Sequence, residues 1–280
     1  MTSTDEMLFP VLLLLPIGLF YLIFRRNWVD SELKSAFFTG LLFGGAAILI
    51  ARVSYVPIEM YLGTDLRTFI SGPRTWWITL LTSIGVIGVI EESLKSAGGL
   101  LASYQVSFLK RPAAIFMAFG GSALAFSLLE NIQYYLIFGA GTVMPRIIVS
   151  SSAHLFFGCI SSTVAAIALS RAARADSVVS MRILIGIFIA ALAHGLFDFL
   201  VFHFDIQAAS GIIISLVVLF LFGIQETWIA VLRVDSPPEA GLMICSGCGA
   251  FSIERTRFCG FCGSRVIRKQ RDVSIKVVDS

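Results

Sequence analysis

The chain has 280 residues, of which 57% are hydrophobic and 14% charged, with a formal net charge of +3. A soluble domain carries roughly 25% charged residues, and the mean hydropathy here is +0.88. These values exclude disorder and argue against an ordinary soluble enzyme, and so small a basic excess does not favour nucleic-acid binding. They predict an all-α polytopic membrane protein, in which any charge inside the bilayer needs a partner.

About 20 apolar residues cross a bilayer core. Seven stretches qualify, at about 8–24, 36–57, 75–103, 112–138, 146–170, 182–204 and 207–232. The first follows Asp5 and Glu6, precedes Arg25 and Arg26, and has no small-residue cleavage site, so it reads as an anchor. Its flanks place the N-terminus outside. Lys110, Arg111, Arg171, Arg174 and Arg182 then fall on the inner side, and Arg52, Arg67, Arg74 and Arg146 on the outer. An odd number of spans puts the C-terminus in the cytoplasm. The bundle occupies 1–232, followed by a linker at 233–242 that contains Ser236-Pro237-Pro238.

The tail after the linker has its own chemistry. Cys245 and Cys248 form one C-x-x-C pair, Cys259 and Cys262 another, and ten residues separate them. Four thiolates at this spacing suit tetrahedral structural zinc, and zinc would supply the folding energy that so short a segment lacks. Disulfides are the alternative, but a cytoplasmic location disfavours them. The segment 243–266 is similar to zinc-ribbon modules appended to many bacterial membrane proteins, and such a module docks a cytoplasmic partner. A basic tail, 267–280, follows it.

Few ionisable residues remain inside the spans. They are Glu91, Glu92 and Lys95 in the third, Glu130 in the fourth, His154 in the fifth, and His194 and Asp198 in the sixth. His203 sits near an outer end, where an amphipathic ring is comfortable. Charges on four consecutive spans imply one shared polar site. Glu91 and Lys95 are i and i+4 and can pair; Glu92 lies about 100° further round, so one glutamate can hold structure while the other addresses the site. His194 and Asp198 are also i and i+4, which lets the carboxylate orient the imidazole or share a ligand.

At these residues the sequence resembles the PrsW family of intramembrane proteases. The resemblance rests on Glu91-Glu92-Ser-Leu-Lys95, on Phe126-Ser-Leu-Leu-Glu130-Asn131, on His154-Leu-Phe-Phe-Gly158 and on His194-Gly-Leu-Phe-Asp198. It covers about 36–204. It implies an integral protein of a bacterial cell membrane that cuts a membrane-anchored protein, such as an anti-sigma factor, in contact with the lipid bilayer. The family is distantly similar to CAAX prenyl endopeptidases. Glu130 and Asp198 depart from the histidine and asparagine of those enzymes, so their mechanism does not transfer directly.

Two mechanisms fit these residue types. In one, Glu91 or Glu92 is a general base and His154 or His194 shuttles a proton or stabilises the oxyanion. In the other, His154, His194 and Glu130 bind a catalytic zinc and a glutamate takes the water proton. The lack of an H-E-x-x-H helix favours the first. Two other classes use the same features: a proton-coupled transporter or channel, and a membrane scaffold or sensor signalling through its zinc ribbon. No internal repeat supports the transporter.

Overall fold

A computed structural model describes residues 9–10, 12–25, 28, 30–72, 75–105, 111–171, 177–204, 210–235, 242–244 and 251–253. The helices are α1 (Leu15–Phe24), α2 (Ser31–Leu62), α3 (Leu66–Ser71), α4 (Trp76–Thr82), a π-helical segment (Ser83–Gly88), α5 (Val89–Gln105), α6 (Pro112–Phe138), α7 (Ala140–Arg171), α8 (Ser177–Phe204) and α9 (Ser210–Asp235). The chain divides into two compact units, Met1–Asp235 and Ser236–Ser280.

Local chemistry marks the helix ends. Asp30 caps α2 by accepting from the amides of Glu32 and Leu33, and Asp65 caps α3 by accepting from Thr68. Gly63 ends α2 at φ +70°, a left-handed conformation that suits glycine. Pro112 begins α6, where its missing N–H costs nothing.

Among the described residues six helices are long and apolar enough to cross a membrane: Ser31–Leu62, Trp76–Tyr104, Pro112–Phe138, Ile147–Leu169, Val179–Phe202 and Ser215–Asp235. The second runs through α4, the π segment and α5. In the expected first span the described residues 9–10, 12–13 and 15–24 are helical, with a turn at Leu14. Pro16 stands in the first turn of α1, where the ring disrupts a helix arriving from the N-terminal side.

Helix α6 lies at the centre. Every residue from Pro112 to Ser127 is buried, and many are alanine, glycine or serine. Small residues let helix backbones approach closely in lipid. Helix α2 makes such an approach, since a Cβ on Gly40 or Gly44 would overlap the backbone of Ala118 or Ser122. Helix α1 docks through Phe24, whose ring meets Trp228 of α9 edge-on at 5.1 Å between centroids.

At one end of the bundle Arg111 ties three helices. It reaches Asp30 at 3.0 Å, Glu32 at 2.5 Å and Asp235 at 3.6 Å. Burial works to raise the Asp30 carboxyl, but the Arg111 hydrogen bond and charge hold it below its ordinary value. Burial likewise works against the Arg111 charge, and its three carboxylates raise it above the ordinary arginine value.

In the second unit, Leu242–Ile244 (β1) and Phe251–Ile253 (β2) pair antiparallel, with Met243 opposite Ser252. Cys245, Cys248, Cys259 and Cys262 lie outside the described residues.

Two outcomes are expected. Gly44→Val should destabilise the protein by about 1–3 kcal/mol through overpacking. Gly45→Val, which would meet only the Leu129 side chain at 3.6 Å, should be tolerated; thermal unfolding in detergent compares the two. Arg111→Gln should cost roughly 1 kcal/mol at neutral pH, since solvent screens these half-exposed pairs. Asp30 has a lowered folded pKa, so its contribution is complete above the ordinary value of 3.8 and is lost as pH falls through the lowered one. The stability gap between parent and variant should therefore narrow as pH falls below 3.8 and through the lowered folded value.

Candidate functional site

Helix α5 carries Glu91, Glu92 and Lys95, α6 carries Glu130, α7 carries His154, and α8 carries His194 and Asp198. All but Asp198 are buried, and Asp198 is half-buried. The π segment precedes the two glutamates by two residues. Its wider turn changes which way the following residues point. It also packs tightly on α8: a Cβ on Gly88 would overlap the Ala191 carbonyl, and one on Gly195 would overlap the Ile84 backbone. This approach lets side chains of α5 reach His194.

Glu92 is the most enclosed carboxylate, at 0% exposure. Its Oε1 forms an ion pair with Lys95 and lies 2.7 Å from Nδ1 of His194. A carboxylate only accepts, so the Nδ1–H of His194 donates; in the neutral ring Nε2 then holds the lone pair. That Nε2 faces Glu91 Oε2 at 3.9 Å and Asp198 Oδ2 at 3.6 Å. The two adjacent glutamates diverge around their helix, as expected, and approach opposite edges of one imidazole.

His154 is oriented from both sides. Its Nδ1 lies 2.8 Å from Lys95 Nζ and its Nε2 lies 2.9 Å from Glu130 Oε2. An ammonium can only donate, so Nδ1 accepts and the ring proton points from Nε2 to Glu130. The two imidazole rings meet edge-on, with centroids 5.0 Å apart. Phe157 stacks on His194 at 5.1 Å, and Phe126 lies 5.9 Å from His154.

Donor atoms of Glu91, His154 and His194 all lie within 4.8 Å of one another. Two imidazoles and a carboxylate make up a common catalytic-zinc ligand set. The electrostatics suit a cation as well. Nε2 of His194 confronts two carboxylates, and Glu91 Oε2 has no hydrogen-bond partner among the described residues. Fully ionised, four carboxylates against one ammonium leave an excess of three negative charges at the site. A divalent ion would offset most of it. The set differs from the one expected: Glu91 stands with the histidines, and Glu130 turns to His154.

Two other features were not foreseen. Lys95 pairs with Glu92 at i+3 and not with Glu91 at i+4, because both spacings lie on one helix face and the contact with His154 decides between them. Tyr55 of α2 donates its phenol proton to Glu91 Oε1 at 2.9 Å. The available signal was a buried stripe, Ala47, Ala51 and Tyr55, on an apolar helix. A phenol on such a stripe needs a polar partner. Asn131 serves packing, donating to Ser151 at 3.0 Å. The side chain of His203 lies outside the described residues.

Tyr55, Glu91, Glu130, His154, His194 and Asp198 line a cavity of about 500 Å³. The lining also includes Arg67, whose guanidinium lies 3.2 Å over the Tyr134 ring.

Residues 31–224 match the model of the PrsW family intramembrane metalloproteases. The chain belongs to this family. It is 27% identical over 139 residues to "Protease PrsW" of Shouchella clausii (strain KSM-K16), a match covering 50% of this chain and 63% of that protein. The chain thus spans less than two thirds of that relative's length. No solved structure matches. As a PrsW family member the chain is an integral membrane protein, and its polar cluster lies within the matched region.

In this PrsW family member Lys95→Met should leave Glu92 buried without its cation, at a cost of about 3–5 kcal/mol. Adding Glu92→Gln should recover a large part of that loss. Thermal unfolding of the single and double variants in detergent measures the coupling.

Proposed function

We propose that the chain is an intramembrane endopeptidase that hydrolyses a peptide bond of a membrane-anchored protein. The observation that supports this reading most is the meeting of Glu91, His154 and His194 in the lining of a cavity inside the apolar bundle. Glu91, His154 and His194 are the residues that would hold a divalent metal ion. When bound, such an ion polarises a scissile carbonyl and lowers the pKa of water.

The chain's own residues supply the rest. Glu92 holds the Nδ1–H of His194 and fixes its tautomer. Glu91 Oε2 meets the reacting water, as ligand or as proton acceptor. His154 and Glu130 form a dyad able to move a proton, and passing the Nε2 proton to Glu130 would free a lone pair on His154. Asp198 faces Nε2 of His194 from the cavity side and would stabilise that nitrogen whenever it carries a proton. The apolar walls, Phe157 and Phe197 among them, keep bulk water away and strengthen each of these interactions. Sequence motifs alone favoured a glutamate acting without metal. The three-donor cluster and the family's description as metalloproteases favour the metal.

The same reading takes an anti-sigma factor as the substrate type, a bacterial cell membrane as the location, and an N-terminus outside with a cytoplasmic C-terminus. It divides the chain into a bundle at 1–232 with a protease-like core at 36–204, a linker at 233–242, a zinc ribbon at 243–266 and a basic tail at 267–280. Cys245, Cys248, Cys259 and Cys262 would bind structural zinc, and the ribbon would dock a cytoplasmic partner.

Purified protein in lipid vesicles with a membrane-anchored substrate tests the reading. Glu91→Gln should lower cleavage at least about 100-fold without changing protein abundance; full activity in that variant would overturn it. In a full-length variant with the four tail cysteines changed to serine, a chelator should abolish cleavage and zinc should restore it. Cleavage that persists in chelator decides for the metal-free mechanism.

A further inference from the structure

We infer that Tyr55 is a positioning residue for Glu91, holding one carboxylate oxygen so that the other is the one presented to the site. The inference rests on the protease reading above, in which Glu91 acts. Tyr55 comes from α2, which carries none of the four motifs that define the site. Its ring packs in a cluster with Ala47, Ile48, Ala51, Leu66 and Phe126, and is 5% exposed.

The hydrogen-bond direction follows from the chemistry. A carboxylate has no proton to give when ionised, so the phenol donates to Oε1 at 2.9 Å. The other oxygen, Oε2, has no hydrogen-bond partner among the described residues and faces Nε2 of His194. The terminal torsion of a glutamate is broad, so an unrestrained carboxylate would swing its plane and carry the free oxygen away from His194. The phenol removes that freedom on one side. Glu92 needs no such device, because Lys95 and His194 already hold its Oε1. Tyr55 also lines the cavity, so the restraint sits where a substrate would enter.

A partner of this kind, bonded to a ligand or base and not to the substrate, typically changes activity or metal affinity 10- to 100-fold. Tyr55→Phe removes the hydroxyl and keeps the ring in its cluster. With full-length protein in vesicles, kcat on a membrane-anchored peptide should fall about 10- to 100-fold, with KM within about two-fold of the parent. The zinc dissociation constant, from competition with a chelating dye in the four-serine tail background, should rise about ten-fold. The thermal midpoint should not move. Tyr61→Phe, on the same helix but 90% exposed, should leave all of these unchanged.

A Tyr55→Phe protein with the parent's kcat and zinc affinity overturns the inference and leaves the protease reading standing. A fall in kcat matched by loss of folded protein overturns it in favour of a structural role. If the parent binds zinc but cleaves nothing, the protease reading fails and zinc affinity alone decides: a ten-fold rise in the dissociation constant supports the positioning role, and no change overturns it. A parent that neither cleaves nor binds zinc overturns both.

Discussion

Glu92 has no exposed surface, and it is held between the ammonium of Lys95 and the imidazole of His194. Burying one carboxylate among apolar helices costs several kcal/mol unless a cation and hydrogen-bond donors compensate. That requirement organises the site. Lys95 answers Glu92 and then reaches His154; His154 reaches Glu130; His194 turns its free edge to Glu91 and Asp198. Each group is tolerable in the bundle because the next one is there.

The helices are arranged so that these partners meet. A central helix built largely of small residues lets its neighbours approach backbone to backbone. The π segment before Glu91 and the glycine contacts between Gly88, Gly195 and their neighbours bring α5 against α8. Either element with larger side chains would hold Glu92 and His194 apart. Stability and chemistry therefore draw on the same close contacts.

The network is compensated but not neutral. It retains more carboxylate than cation, and among the described residues an oxygen of Glu91 has no hydrogen-bond donor and faces Nε2 of His194, beside a cavity. A purely structural network would be expected to close on itself. Left open towards a cavity, in a chain of the PrsW family, it suits a cation and the activation of water. The groups facing away from the cavity orient those that face it.

Hydropathy was enough to place six long helices to within a few residues, because crossing a bilayer is a property of consecutive side chains. The same filter isolated Glu91, Glu92, Glu130, His154, His194 and Asp198, because a charge in an apolar span stands out locally. The turn at Leu14 within the first span was less legible, since composition alone does not weigh Pro16 in the helical turn that follows it. What only the tertiary structure decided was pairing. Glu92 and not Glu91 takes Lys95, Glu91 and not Glu130 joins the two histidines, and Tyr55 enters the site at all. Tyr55 and Glu91 are 36 residues apart, and His194 and Glu92 are 102 apart. No period of 3.6 residues carries information over such distances; the packing of small residues between helices does.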